Sequence, residues 1–426
     1  MQQIIVINLS LFSCIAHALL LWITLAIFGL YVAALASRVD FYKLFNDPQG
    51  RLSLTPRLKT DDRIRAHGYP AEMHYVPTED GYILGLFRIP YSHKLQNQNA
   101  LRPIVLIQHG LTGCSDNWIA MGPDNAIAFQ LADAGYDVWL GNARGTTYSR
   151  NHTSRSTQHP YFWRFSWHEV GHYDIAAMID YALATNGQNQ RAIHYIGHSQ
   201  GTTVFFVLMS TRPEYNAKIK TAHMLAPVAF MDNLSSLLVR TVGPYLGHHN
   251  TYSKLFCSQE FLPFNDLVLA LFYNSCRPES RFASLCDGVL YDSSTEGRTN
   301  STASAIHAGT SPAGLSTDQF LHYLQEQQSG HFRNFDFGPK KNLLMYGNEA
   351  PPDYPTKLIT CETHLWYADN DELAAIVDVE RLAETLPNKV MHHMEDELWD
   401  HIDFAFNWHV KEFINDPVVE IIEEYE

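Results

Sequence analysis

From about residue 75 to residue 230, short apolar runs alternate with longer mixed ones. Ile104–Ile107, Asp137–Leu140, Ile193–Ile196 and Thr221–Leu225 are brief blocks dominated by apolar side chains. Blocks of that length predict strands buried in a sheet. Between them, Ala126–Ala134, Ile175–Leu183 and Thr202–Leu208 predict helices. Strands alternating with helices predict a parallel sheet covered on both faces. Pro227 interrupts this rhythm, and from 231 to 354 the pattern changes. Leu234–Val242, Phe264–Phe272 and Asp318–Gln327 predict helices separated by Gly, Pro and Ser turns. That stretch reads as a helical cap or lid, inserted before the last strands. Pro351-Pro352 and Tyr354-Pro355 mark the return to a strand at Leu365, and Asp403–Ile414 predicts a closing helix. The core is therefore expected over residues 37–230 and 355–426. Glu420–Glu426 reads as a solvated acidic tail.

Met1–Ser37 contains no Asp, Glu, Lys or Arg, and an apolar run from Ile4 ends at Ala34-Leu35-Ala36. A small-residue cleavage pattern closing an uncharged apolar run predicts a signal peptide over residues 1–36. The run is long and has no basic n-region, so an uncleaved signal anchor is the alternative; Ala18–Ala36 alone approaches a bilayer span. Entry into the secretory pathway agrees with sequons at Asn151, Asn233 and Asn300. The net charge of −15 without a basic run argues against nucleic acid as a partner. The 22 histidines would charge in an acidic lumen and offset the carboxylates there.

The chemistry is concentrated at Gly197-His198-Ser199-Gln200-Gly201, which reads G-x-S-x-G. Ala192–Ile196 before it is strand-like, and the apolar run Thr202–Met209 after it starts a helix. Strand, sharp turn and helix are the setting of a nucleophile elbow, with the serine held out toward substrate. A serine hydroxyl needs a base, and the base needs an orienting acid. In α/β-hydrolases these follow in the order Ser, acid, His. Leu365–Leu373 reads as a strand ending in an acidic loop, and Asp371 is chosen there over its rival Asp369. His401, in Trp399-Asp400-His401-Ile402-Asp403-Phe404, is the expected base. The oxyanion donors expected are the backbone N–H groups of Gln200, following the nucleophile, and Leu111, in the loop after Pro103–Gln108.

With these residues in hand, the chain resembles the acid lipases, the family of gastric, lingual and lysosomal acid lipases, over roughly residues 60 to 415. The resemblance rests on Gly68–Glu72 with Thr78–Leu84, Arg88-Ile89-Pro90, His109-Gly110-Leu111 with Asn117-Trp118, and Gly141–Gly145. It continues through Tyr148-Ser149-Arg150, Phe162–Trp167, Tyr173-Asp174, Pro312-Ala313-Gly314, Asp371 and His401–Phe404. It implies the α/β-hydrolase fold and hydrolysis of lipid carboxylic esters, triacylglycerol or sterol ester, at a lipid–water interface. It implies no metal and no organic cofactor. It also implies a disulfide between Cys276 and Cys286, where the family carries one; Cys114, Cys257 and Cys361 then read as buried apolar fillers. The expected location is secreted or lysosomal. A carboxylesterase acting on soluble esters, and a lipid carrier that has kept the fold without the chemistry, are the other readings. Oligomeric state is not legible.

Overall fold

The computed structural model describes residues 58–261, 266–277, 280 and 301–426, all within one compact unit, Leu58–Glu426. The expected signal segment, residues 37–57 of the expected core, Asn300, Cys286 and residues 262–265, 278–279 and 281–300 of the expected cap lie outside the described residues.

In chain order the strands are β1 (Glu72–Pro77), β2 (Tyr82–Ile89), β3 (Ile104–Gln108), β4 (Asp137–Leu140), β5 (Asn151–His152), β6 (Ile193–His198) and β7 (Ile219–Leu225). They continue with β8 (Glu260–Phe261), β9 (Leu315–Ser316), β10 (Glu362–Tyr367) and β11 (Lys389–His393). One nine-stranded sheet runs in the order β1-β2-β4-β3-β6-β7-β10-β11, with β5 also on β2; β8 and β9 form a separate pair. From β4 to β11 all neighbours are parallel. β3, β4 and β6 are buried at every position, which is why apolar side chains dominate them.

The helices are α1 (Thr60–Ala66), α2 (Ile127–Asp133), α3 (Ala176–Asn186), α4 (Gln200–Thr211), α5 (Leu237–Leu246) and α6 (Thr251–Phe256). Then come α7 (Asp266–Cys276), α8 (Ser301–Thr310), α9 (Thr317–Ser329), α10 (Pro339–Tyr346), α11 (Ile376–Thr385), α12 (Asp403–Phe406) and α13 (Asp416–Glu423). Helices α5 to α10 all fall between β7 and β10, within the span expected to be the cap. Successive β6 side chains point to opposite faces of the sheet. Tyr195 stacks on Phe205 of α4, with ring centroids 4.8 Å apart, while His194 meets Glu426 at the chain end. Both faces are thus covered.

A buried arginine ties distant segments of the fold together. The Arg144 Nε and Nη2 donate to Asp174 Oδ1 at 2.8 and 2.6 Å, and Nη1 donates to Asp80 at 2.5 Å. Its guanidinium lies 4.0 Å over the Tyr82 ring. Three sequence segments of the resemblance therefore meet at one side chain.

The structure corrects two expectations. The closing helix over Asp403–Ile414 is broken: α12 ends at Phe406, and a π-turn over Lys411–Asn415 leads into α13. Asn407 causes the break, since its side chain accepts from the His409 N–H at 2.9 Å and closes a turn. The acidic tail is exposed at Glu420 and from Glu423 to Glu426, as expected; it is helical to Glu423, and Glu426 also pairs with His194 at 2.9 Å and with Lys220. Cys257 is only half-buried, whereas Cys114 and Cys361 are buried. Cys276 is disulfide-bonded, and its expected partner lies outside the described residues.

Candidate active site

β6 ends in the turn that carries Ser199. The serine has φ 53° and ψ −118°, a left-handed backbone that L-residues occupy only under constraint. The constraint is visible on both sides. Its N–H donates to the Leu225 carbonyl of β7 at 3.0 Å, and its carbonyl accepts from Thr202 N–H at 2.9 Å. Glycine is required at 197 and 201 by close approach. A Cβ on Gly197 would lie 2.7 Å from the Gly201 backbone, and one on Gly201 would overlap the Gln108 carbonyl of β3. The serine side chain is half-buried, at the C-terminal end of the parallel strands.

The structure brings the three expected side chains together. His401 Nε2 lies 2.8 Å from Ser199 Oγ. His401 Nδ1 lies 2.8 and 2.9 Å from the two oxygens of Asp371. Asp371 Oδ1 also accepts the N–H groups of Leu373 and Ala374, at 2.9 and 2.8 Å. Burial alone would raise the Asp371 pKa, but His401 and the two N–H donors hold it below the usual carboxylate value. Burial would lower the His401 pKa, and the Asp371 charge more than offsets it, so the imidazole titrates above its ordinary value. The rival Asp369 points elsewhere: it is exposed and meets His393 of β11 at 3.0 Å.

The loop after β3 lies against the elbow. A Cβ on Gly110 would fall 3.1 Å from Ser199 Cβ. Gln200 is the first residue of α4, so its N–H has no partner four residues back within the helix. Leu111 packs half-buried on the core beside Gly110. The expected cap reaches this loop directly: Ala313 N–H donates to the Thr112 carbonyl at 2.8 Å, and the Ala313 carbonyl accepts from Thr147 Oγ1 at 3.2 Å.

Three supporting side chains were not singled out from the sequence. His109 Nδ1–H donates to the Gly110 carbonyl at 2.7 Å, and its Nε2 accepts the Ala143 N–H at 3.1 Å. Burial pushes its pKa down to about 4, so it stays neutral and pins the loop to the end of β4. His198 Nε2–H donates to the His401 carbonyl at 2.8 Å and is likewise neutral, pushed down to about 3 chiefly by burial. Gln319 of α9 donates to the Gln200 side chain at 3.2 Å. Both histidines lie inside quoted motifs, Gly197–Gly201 and His109–Leu111, but 22 histidines gave no contrast to mark their roles.

Of the expected glycosylation positions, Asn151 is exposed on β5. Asn233 is engaged, its Nδ2 donating to Asp378 at 2.8 Å. No cluster of three or more His, Cys, Asp or Glu is placed to hold a metal among the described residues. A depression of about 810 Å³ is lined by Asp180, Leu183, Gly187 and Arg191. It lies at the start of β6, the opposite end from Ser199, and is not part of the site.

The family described as "alpha/beta hydrolase fold" matches residues 103–407, and that described as "Partial alpha/beta-hydrolase lipase region" matches residues 60–122. Lipase 3 of Drosophila melanogaster is 43% identical over 86% of this chain and 93% of its own length. Gastric triacylglycerol lipase of Bos taurus is 37% identical over 88% of this chain and 94% of its own. Lipase lipl-1 of Caenorhabditis elegans is 34% identical over 92% and 96%. A Ser–His–Asp arrangement on a strand–turn–helix elbow, in a sequence that matches lipases along nearly its whole folded length, places this chain in the α/β-hydrolase-fold lipase family.

Proposed function

We propose that this chain hydrolyses the ester bonds of neutral lipids, triacylglycerol or sterol ester, at a lipid–water interface. The observation that carries the reading is the hydrogen-bonded run from Ser199 through His401 to Asp371. Ser199 Oγ attacks the ester carbonyl carbon while His401 Nε2 takes its proton. Asp371 fixes the imidazole tautomer with Nδ1–H facing the carboxylate, and stabilises the imidazolium. The N–H groups of Gln200 and Leu111 receive the oxyanion. His401 then protonates the departing alkoxide, the alcohol leaves, and His401 activates water against the acyl-enzyme. The cap over residues 231–354 shields the acyl chain.

Secretion or delivery to the lysosome fits the uncharged N-terminal run, exposed Asn151 and the disulfide at Cys276, which suits an oxidising compartment. N-terminal sequencing of the mature protein is expected to begin at Ser37; recovery with Met1 in the membrane fraction supports the anchor instead.

The test of function is hydrolysis of emulsified triolein, cholesteryl oleate and a short soluble ester, together with labelling by a serine-reactive phosphonate. Long-chain hydrolysis and stoichiometric labelling at Ser199 are expected. Short-ester hydrolysis alone would make the protein a soluble-ester esterase, and failure to label would make it a lipid carrier.

A further inference from the structure

Helix α10, Pro339–Tyr346, is fastened to the fold by two side chains and leaves its apolar ones out. Asn342 is buried and fully bonded: Oδ1 accepts Phe337 N–H at 2.9 Å, and Nδ2 donates to Asp336 Oδ1 and to the Glu349 carbonyl, both at 2.8 Å. The Tyr346 hydroxyl donates to the Phe335 carbonyl at 2.9 Å. By contrast Leu343, Leu344 and Met345 are 53%, 86% and 58% exposed. Three consecutive large apolar side chains held in water mark a surface built for contact.

The surroundings say what kind. The turn between α5 and α6 abuts the start of α10, since a Cβ on Gly338 would overlap His249. On α6, Tyr252 and Leu255 are exposed as well. Residues 234–259 and 338–348 contain Arg240, Lys254, Lys340 and Lys341 and no Asp or Glu, in a chain of net charge −15. Lys341 Nζ sits 3.9 Å over the Phe337 ring, so its charge is fixed beside the exposed leucines. The first acid beyond the helix is Glu349. Two segments that carry bare apolar side chains and lysines but no acid of their own, flanked by Asp336 and Glu349, match the boundary layer of an anionic lipid surface: side chains enter the acyl region while ammonium groups meet the headgroups.

We infer that α10, with α6 beside it, docks on a lipid–water interface bearing anionic phospholipid headgroups. The inference deepens the lipid-ester reading given above and rests on it. It adds an anchoring site built from residues outside the catalytic machinery, and a headgroup charge preference.

The experiment uses the full mature chain carrying Ser199→Ala, so that bound lipid is not consumed. Flotation is measured with phosphatidylcholine vesicles and with vesicles doped with phosphatidylglycerol, at low and raised ionic strength. Tighter, salt-sensitive binding to the doped vesicles is expected. A lysine near an anionic surface changes partitioning roughly fivefold, so Lys340→Gln with Lys341→Gln is expected to weaken binding to doped vesicles about thirtyfold. The same pair should barely affect binding to neutral vesicles. Leu344→Glu is expected to weaken both by tenfold or more, on the order of the cost of keeping a leucine-sized group out of the acyl region. With Ser199 intact, Leu344→Glu should leave short soluble-ester hydrolysis and circular dichroism unchanged, showing that site and fold survive. Equal binding of all variants, or no preference for doped vesicles, overturns the proposal. A change from dimer to monomer on Leu344→Glu with unaltered flotation also overturns it, and makes the face a contact between copies. Absence of ester hydrolysis by the unsubstituted protein would instead overturn the catalytic reading and leave the flotation result standing.

Discussion

At the scale of single residues, the choice between two aspartates two positions apart decides the chemistry. Asp369 and Asp371 would share a side of an extended loop, so alternation along the chain does not separate them. The fold does: Asp371 is drawn inward by the Leu373 and Ala374 N–H groups and faces His401, whereas Asp369 stays with His393 at the surface. Loss of the orienting acid costs about 10⁴-fold in kcat in a serine protease. Asp371→Asn is therefore expected to lose activity on that order, and Asp369→Asn to stay within about tenfold. The pH profile gives an independent readout. Burial lowers the His401 pKa and Asp371 raises it by more, so Asp371→Asn should move the acid limb of kcat/KM to lower pH while the plateau falls. The reverse ranking of the two variants would move the catalytic acid to Asp369. Ser199, His401 and Asp371 were legible because each sits in a local context with chemical meaning. His198 and His109 were not, because their work is to bond the backbone of a distant loop, which leaves no pattern along the chain.

At the scale of elements, the strands that were legible are those buried on both faces. β3, β4, β6 and β7 show in the sequence as apolar blocks because every side chain must be apolar or internally paired. β11 is mostly exposed at the sheet edge, and its Lys389-Val390-Met391-His392-His393 carries no such block. The hairpin of β1 and β2 was recognised only as a family segment, because β1 is half exposed and Gly85 interrupts β2. The elbow between β6 and α4 gives a prediction at this scale. Gly201 lets α4 approach the β3 carbonyl at Gln108, and a Cβ there would overlap that oxygen. Backbone cannot yield as a flexible side chain can, so Gly201→Ala must push the helix start away from β3. A loss of about 3 kcal/mol in unfolding free energy is expected, the upper end for overpacking a core. Activity should fall further than the population of unfolded protein explains, because Ser199 and the Gln200 N–H move with the helix. Chemical denaturation combined with phosphonate labelling of the folded fraction measures both; unchanged labelling would show that the elbow tolerates the shift.

At the scale of the whole molecule, opposing sets of buried titratable groups shape the response to acid. His194, His223, His364 and His392 stand on the four adjacent strands β6, β7, β10 and β11, on the face that meets the chain end. His194 Nδ1 meets Thr221 Oγ1 at 2.7 Å, which meets His223 Nε2 at 3.1 Å. His223 stacks on His364 with centroids 4.8 Å apart, and His364 Nδ1 meets His392 Nε2 at 2.9 Å. Facing them are Lys220 and Glu362 from the strands, and Glu424, Tyr425 and Glu426 from the chain end. Burial pushes His194 and His392 down to about 4, takes His223 well below its ordinary value, and lowers His364. A histidine whose folded pKa is depressed contributes stability that is complete above the unfolded value of 6.5. That contribution is lost as pH falls from there toward 4. On the other side stand Asp318, raised to about 6 by burial, and Glu326, buried without a hydrogen-bond partner and raised well above its ordinary value. Each binds its proton more tightly when folded, so stability rises as pH falls through the folded pKa. The two sets offset each other across the mildly acidic range. Removing one member of each set should tilt the balance in opposite directions. His223→Phe keeps an aromatic ring against His364 and removes a group that must stay neutral, so the acid unfolding midpoint should move to lower pH. Glu326→Gln removes a buried carboxyl that is costly to ionise, so stability should rise at neutral pH and change little below the folded pKa. Tryptophan fluorescence during acid titration, with denaturant unfolding at neutral and acidic pH, reads both. An acid midpoint unmoved by His223→Phe would assign the acid limb to groups outside the histidine row.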